Sequence, residues 1–169
     1  MPAIRTAAVA GLFYPAGAAE LRGDIAELLG GTETGAAAPV PKVLISPHAG
    51  YIYSGHVAAA GYRRLAPAQG RITQVVLLGP SHFVGFHGLA AASADGWQTP
   101  LGSVSVDRPL VVRLIGAKLI EVLDAAHARE HSLEVHLPFL QVALGEFALV
   151  PIVTGEAFCQ PSAEAAASP

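Results

Sequence analysis

The stretch Lys42–Gly61, K-V-L-I-S-P-H-A-G-Y-I-Y-S-G-H-V-A-A-A-G, decides how the chain reads. Val43 to Ile45 is a β-branched and leucine run of the kind that forms a buried strand. Ser46-Pro47 ends it, because proline has no N–H for the ladder and fixes its own φ. His48 is thereby expected just past a strand end. Gly50 permits close backbone approach, Tyr51 and Tyr53 supply phenols, and Ser54-Gly55 is read as the cap of a helix beginning near His56. The piece parses as strand, polar loop, helix.

The same logic recurs downstream. Gln74-Val75-Val76-Leu77-Leu78 is again a buried-strand run, followed at once by Gly79-Pro80-Ser81-His82. The two histidines are 34 residues apart, which suits one β-α-β unit. With both strands parallel and joined by a right-handed crossover helix, both imidazoles emerge at the carboxyl edge, where open α/β sheets bind ligands. The expected fold is therefore α/β, a mainly parallel sheet flanked by helices.

Composition sets the bounds. A chain of 169 residues, 52% hydrophobic and 14% charged, can bury one substantial core, so residues 1–155 are read as a single domain. A net charge of −3 without a Lys/Arg cluster argues against a nucleic-acid surface. No apolar run approaches the ~18 residues of a membrane span, and the N-terminus lacks a signal-like pattern, so a cytoplasmic protein is expected. The lone cysteine, Cys159, excludes an internal disulfide.

Taken in order, Ala3 to Pro15 reads as an edge segment ending in an aromatic turn. Phe13-Tyr14 either lines a pocket or anchors the N-terminus on the core. Leu21, Ile25, Leu28 and Leu29 recur at helical spacing and stop at Gly30-Gly31. Thr32 to Pro41 reads as a surface loop. Gly88 to Ser93 suits a strand of small residues, with Asp95-Gly96 as a turn, and Ser103 to Val106 suits a half-exposed strand. Asp107 is placed as the N-cap of a helix carrying Leu110, Val111, Leu114 and Ile115. Leu119 to Leu123 is ambiguous. Asp124 to His131 is polar, and Ser132 to Leu144 has helical period with Pro138 as a kink or first turn. Phe147 to Val153 is a last strand, where Pro151 argues for an edge or a bulge. Residues 156–169 read as a low-complexity, disordered tail.

The chemistry-bearing residues are mostly the seven histidines. His48 and His82, at two strand ends, are the metal-ligand candidates. Two imidazoles plus a carboxylate with open positions suit a non-haem iron centre, and zinc takes the same donors. His56 and His87 default to structural or surface roles. The segment Ala126 to His136 is no zinc-protease motif, because His131 and His136 are five apart and would diverge by roughly 140° on a helix. His127 and His131 can share a face as hydrogen-bond donors or proton carriers, which makes His131 the candidate acid–base group. Glu134, one turn from His131, joins Phe13, Tyr14, Tyr51 and Tyr53 as pocket candidates. Glu130 with Arg129 reads as a solvated face. There is no G-x-S-x-G elbow, phosphate loop or dinucleotide fingerprint, and Cys159 has no cationic partner nearby.

Five motifs in order resemble the Memo family, whose bacterial members are called AmmeMemoRadiSam system protein B. They are Ala10-Gly11-Leu12-Phe13-Tyr14-Pro15, Pro47-His48-Ala49-Gly50-Tyr51-Ile52-Tyr53-Ser54-Gly55, Leu78-Gly79-Pro80-Ser81-His82, Thr99-Pro100-Leu101-Gly102, and Glu130-His131-Ser132-Leu133-Glu134 through Leu137-Pro138-Phe139-Leu140. The resemblance implies a fold like the class III extradiol dioxygenases, the LigB-like enzymes, with His48 and His82 matching the family's two early metal-site histidines. It implies iron or copper as the cofactor. The family's later site histidine and cysteine ligand have no counterpart here, so the chain is expected to be a C-terminally shortened member.

Three functions follow as expectations. One is a metal-dependent redox or dioxygenase-like enzyme acting on a small aromatic ligand. Another is a non-catalytic module that binds a peptide segment, with the functional link to a radical SAM enzyme and an AMMECR1-like protein that the bacterial name implies. The third is an inactive truncation. No nucleic-acid or membrane partner is expected.

Overall fold

A computed structural model of the chain describes residues 3–30 and 39–156. The described residues form one seven-stranded mixed sheet with helices packed on it. The strands are β1 (Ile4–Arg5), β2 (Gln74–Pro80), β3 (Leu89–Ala91), β4 (Gly96–Thr99), β5 (Gly102–Val106), β6 (Glu121–Val122) and β7 (Ala148–Thr154). The helices are α1 (Ala18–Gly30), α2 (Tyr51–Tyr62), α3 (Arg108–Gly116), α4 (Asp124–Ala128) and α5 (Leu137–Leu144), with 3-10 turns at Arg63–Ala68 and Glu134–His136. Strand order is β1-β4-β5-β7-β3-β6, and β2 pairs with the other side of β7. The β2–β7 ladder is parallel over its whole length, whereas the β4–β5 and β3–β7 pairs are antiparallel. This is the expected α/β class. No helix among the described residues is long and apolar enough to cross a membrane. The expected tail beyond residue 156, Cys159 included, and most of the Thr32–Pro41 loop lie outside the described residues.

The core gathers on β7. Leu149, Val150 and Val153 are fully buried and Ile152 nearly so, because this strand has neighbours on both edges and cover on both faces. Pro151 therefore sits in a central strand, not at the expected edge or bulge. The register explains how it is tolerated. β5 pairs with Ala148 and Leu149, and β3 with Ile152 to Thr154, so Pro151 falls in the interval between two successive neighbours on that side. A missing N–H there breaks no ladder bond to either of them. Leu21 and Ile25 of α1 and Leu137, Leu140 and Leu144 of α5 close the core at the expected helical spacing, but the helix expected from Ser132 begins only at Leu137, and buried Leu133 lies in the turn before it. Asp107 caps α3 as expected, its carboxylate accepting from Leu110 N–H at 2.9 Å. Pro138 lies in the first turn of α5, where its lost donor is harmless.

Three local expectations need correction. Val43 to Ile45 is not a buried strand. The segment is irregular, and Val43 and Ile45 are 80% and 95% exposed. A strand requires a lateral partner for its backbone groups, and none of the described residues pairs with this one. Leu44 alone anchors the segment, packed so tightly on α2 that a Cβ at Gly61 would lie 2.7 Å from its Cδ1. β2 likewise keeps one edge unpaired among the described residues, and Val76 and Leu78, which share one of its faces, are about half exposed. Secondly, α2 starts at Tyr51 rather than near His56. Gly50 is its N-cap, Tyr51 N–H donates to the Phe13 carbonyl at 2.8 Å, and Ser54 Oγ donates to the Ala49 carbonyl at 3.2 Å. Thirdly, Gly96 opens β4, which pairs with β1 and β5, where only a turn was expected.

Candidate metal centre

His82 follows directly on β2. The turn that carries it is fixed by Ser81, whose N–H donates to the Thr154 carbonyl at 3.0 Å and whose hydroxyl donates to the Val84 carbonyl at 2.8 Å. His131 comes from the loop after α4, held against the same turn by Ser132 Oγ donating to the Pro80 carbonyl at 2.8 Å. His48 stands on the irregular segment just before α2, so it reaches the site without the strand end that the sequence suggested. The three imidazoles converge. Ring centroids lie 5.3 Å apart for His48 and His82, 5.9 Å for His48 and His131, and 4.5 Å for the stacked His82 and His131. One nitrogen from each falls within 4.8 Å of the others.

Beneath them lies Glu130, fully buried. Oε2 accepts from His82 N–H at 2.6 Å, while Oε1 accepts from His131 N–H at 2.9 Å and Ser132 N–H at 2.8 Å. Its reading as a solvated face is thus overturned, because a buried carboxylate persists where several N–H groups replace water. Burial alone would raise this carboxyl, but the donors from His82 and Ser132 outweigh it and hold it down at about 2. For His48 and His131 burial is the first cause of a lowered pKa, and the neighbouring imidazoles act in the same direction. Both are thereby favoured as neutral rings with a lone pair to offer.

The structure separates the pocket candidates into two groups. Phe13, whose ring lies 4.6 Å from His131, and Tyr53, 82% exposed, line a groove of about 560 Å³ with Leu12, Pro47, His48 and His131. Tyr14, Tyr51 and Glu134 lie in the core instead. Glu134 accepts from Tyr14 OH at 2.6 Å and from Arg5 Nη1 at 2.6 Å, and Tyr51 OH donates to the Val135 carbonyl at 2.9 Å. Burial, first of all, pushes both tyrosine pKa values up. Of the remaining histidines, His136 pairs through Nδ1 with Tyr62 OH at 2.8 Å. His127 does not share a face with His131. It is buried edge-on to Trp97, with Nε2 3.1 Å from the Ala90 carbonyl. His56 and His87 are exposed.

Three imidazole nitrogens on three separate segments can hold one metal ion. Imidazole ligands sit about 2.0–2.1 Å from a metal such as zinc, so closure around an ion asks for side-chain adjustment on the order of an ångström. Sequence reasoning placed His131 as an acid–base group and missed Glu130. The available signal was its place at the head of the Glu130-His131-Ser132-Leu133-Glu134 motif, directly before His131.

Comparison with known proteins covers the segment that carries all of these residues. The family model described as Memo-like protein matches residues 5–167. A MEMO1 family protein of Methanococcoides burtonii is 40% identical over 153 residues, covering 90% of this chain and 55% of that protein. One from Aquifex aeolicus is 42% identical over 151 residues, covering 89% and 54%, and one from Methanopyrus kandleri 43% over 166 residues, covering 88% and 55%. The chain thus spans little more than half the length of these curated relatives. A family match over nearly the whole chain, with the two early histidine motifs and the Glu130-His131 segment converging in space, leaves one conclusion: the chain belongs to the Memo family.

Proposed function

We propose that the chain binds a redox-active metal, iron or copper, through His48, His82 and His131, and that the site supports oxygenase or redox chemistry of the class III extradiol dioxygenase type on a small aromatic ligand. The observation that carries this reading is the convergence of three imidazole nitrogens within 4.8 Å at the mouth of an apolar groove. When bound, such a metal would supply Lewis acidity and one-electron chemistry, which none of the side chains here supplies alone. The rest falls to the protein's own groups. Phe13 buttresses the His131 ring, Tyr53 and Leu12 offer apolar surface to a planar ligand, and His82, 38% exposed, leaves the centre open on one side. Zinc fits the same donors, so the metal is decided by measurement.

The test is metal content by mass spectrometry on untagged protein, beside His48→Ala/His82→Ala and His131→Ala variants, followed by anaerobic loading with ferrous iron and oxygen uptake with catechols. Near-stoichiometric iron or copper, lost in both variants, supports the site; turnover of a catechol supports the chemistry. Metal that survives the loss of both His48 and His82 refutes it.

A second reading is favoured by the openness of the groove and the exposure of Leu12 and Tyr53, 81% and 82%. Here the site is a non-catalytic module that takes an apolar peptide segment, with a radical SAM enzyme or an AMMECR1-like protein as the proposed partner. Retention of such a partner by wild-type protein, and its loss with Tyr53→Ala or Leu12→Ser, is the result that distinguishes this reading.

A further inference from the structure

We infer that Glu130 is a positioning residue that dictates which ring nitrogen His82 presents to a metal and, through the same oxygen, orients His131. The inference rests on the metal-site reading above, but its central claim concerns the metal-free protein. An ionised carboxylate only accepts hydrogen bonds. His82 Nδ1 lies 2.9 Å from Glu130 Oε1, an oxygen that only accepts, so Nδ1 carries a proton, and in the neutral ring it is Nε2 that keeps the lone pair. His131 Nδ1 faces the same oxygen at 3.4 Å, which aims the opposite edge of that ring away from the carboxylate.

The carboxylate cannot swing to suit another tautomer. His82, His131 and Ser132 N–H groups hold its two oxygens from both sides, and the residue has no exposed surface. The backbone that mounts His82, the backbone that mounts His131 and the ring of His82 are therefore tied to one buried anion. That arrangement does more than brace a loop. It removes the need to select a tautomer on binding, and a carboxylate behind an imidazole makes the ring a stronger donor. His48 has no hydrogen-bond partner of this kind among the described residues, so the three ligands are not equivalent.

The experiment has two readouts. Nitrogen-15 chemical shifts of the histidine rings in metal-free wild-type protein, above pH 7.5, report the tautomer. His82 is expected protonated on Nδ1. Zinc affinity, measured by competition with a chelating dye, is then compared between wild type, Glu130→Gln and Glu130→Asp. The Gln variant loses the charge and keeps one oxygen, which suits the His131 and Ser132 N–H groups while its NH₂ confronts the His82 N–H, so its zinc affinity is expected to fall about 10- to 100-fold while its fold, judged by circular dichroism, persists at reduced stability. Glu130→Asp, which keeps the charge and shortens the reach, is expected to recover part of that loss. An Nε2-protonated His82 in the wild type overturns the inference whatever the protein binds, and so does unchanged zinc affinity in the folded Gln variant. A wild type that binds none of zinc, ferrous iron and copper while His82 is protonated on Nδ1 removes the metal-site reading and leaves the tautomer assignment standing.

Discussion

Replacing Glu134 by Gln tests a buried ion pair at the centre of the described residues. The carboxylate is fully buried and accepts four hydrogen bonds: Arg5 Nη1 at 2.6 Å and Ala8 N–H at 2.8 Å on Oε2, Val9 N–H at 3.0 Å and Tyr14 OH at 2.6 Å on Oε1. A glutamine of the same shape must turn its NH₂ toward one of these two pairs, and both consist of donors. Whichever way it faces, donors confront each other and the Arg5 side chain, only 7% exposed, loses its counter-charge. Breaking one partner of a buried pair costs about 3–5 kcal/mol. Arg5 retains its bonds to the His127 and Glu130 carbonyls, at 2.8 and 2.6 Å, which places the expected loss at the lower end. With a urea m-value of about 2 kcal/mol/M, a loss of ~3 kcal/mol moves the denaturation midpoint down by about 1.5 M. Against a total stability of about 5–15 kcal/mol, the variant should remain folded but become sensitive to proteolysis at 37 °C. The assay is urea unfolding followed by Trp97 fluorescence and far-UV circular dichroism, with Arg5→Met/Glu134→Leu as the companion. The double variant should lose less than the sum of its singles, because no buried charge is left alone. A loss under about 1 kcal/mol for Glu134→Gln would refute the reasoning, since that is the scale of an exposed ion pair.

Two further outcomes are expected. Ile45→Ser should change stability by no more than about 0.5 kcal/mol, whereas Leu149→Ala should cost about 2–5 kcal/mol, since Ile45 is 95% exposed and Leu149 fully buried; equal losses in thermal or urea melts would return residues 43–45 to the core. Burial, foremost, lowers the His127 pKa from 6.5 to about 4, so between these values the unfolded chain binds the proton and the native protein does not. Stability contributed by the neutral ring is therefore present above about pH 6.5 and lost as pH falls toward 4, by up to about 3 kcal/mol for His127 alone. Melting temperature from pH 7.5 to 4.5 should fall more steeply in the wild type than in His127→Gln, and parallel curves would show that His127 contributes nothing to acid lability.

Much of the fold was legible because it is written in local patterns. Leu21 and Ile25 mark the buried stripe of α1, Asp107 the start of α3, and Gln74 to Leu78 the run of β2, each through interactions spanning a few residues. Pairing was less legible. Val43 to Ile45 has the composition of a strand, yet becoming one depends on a neighbour that no local pattern specifies, and β7 tolerates Pro151 only because of where β5 and β3 happen to stop.

By itself the sequence determined the α/β class, the family, and a histidine just after β2 with another before α2. Only the tertiary structure decided which three of the seven histidines meet, and that two glutamates four residues apart have separate tasks. Glu130 lies behind His82, 48 residues away, and Glu134 ties down Arg5, 129 residues away. The physical reason is the same in both cases. Helix and strand propensities are set by near neighbours along the chain, whereas a buried charge is tolerated only by partners that folding brings from a distance.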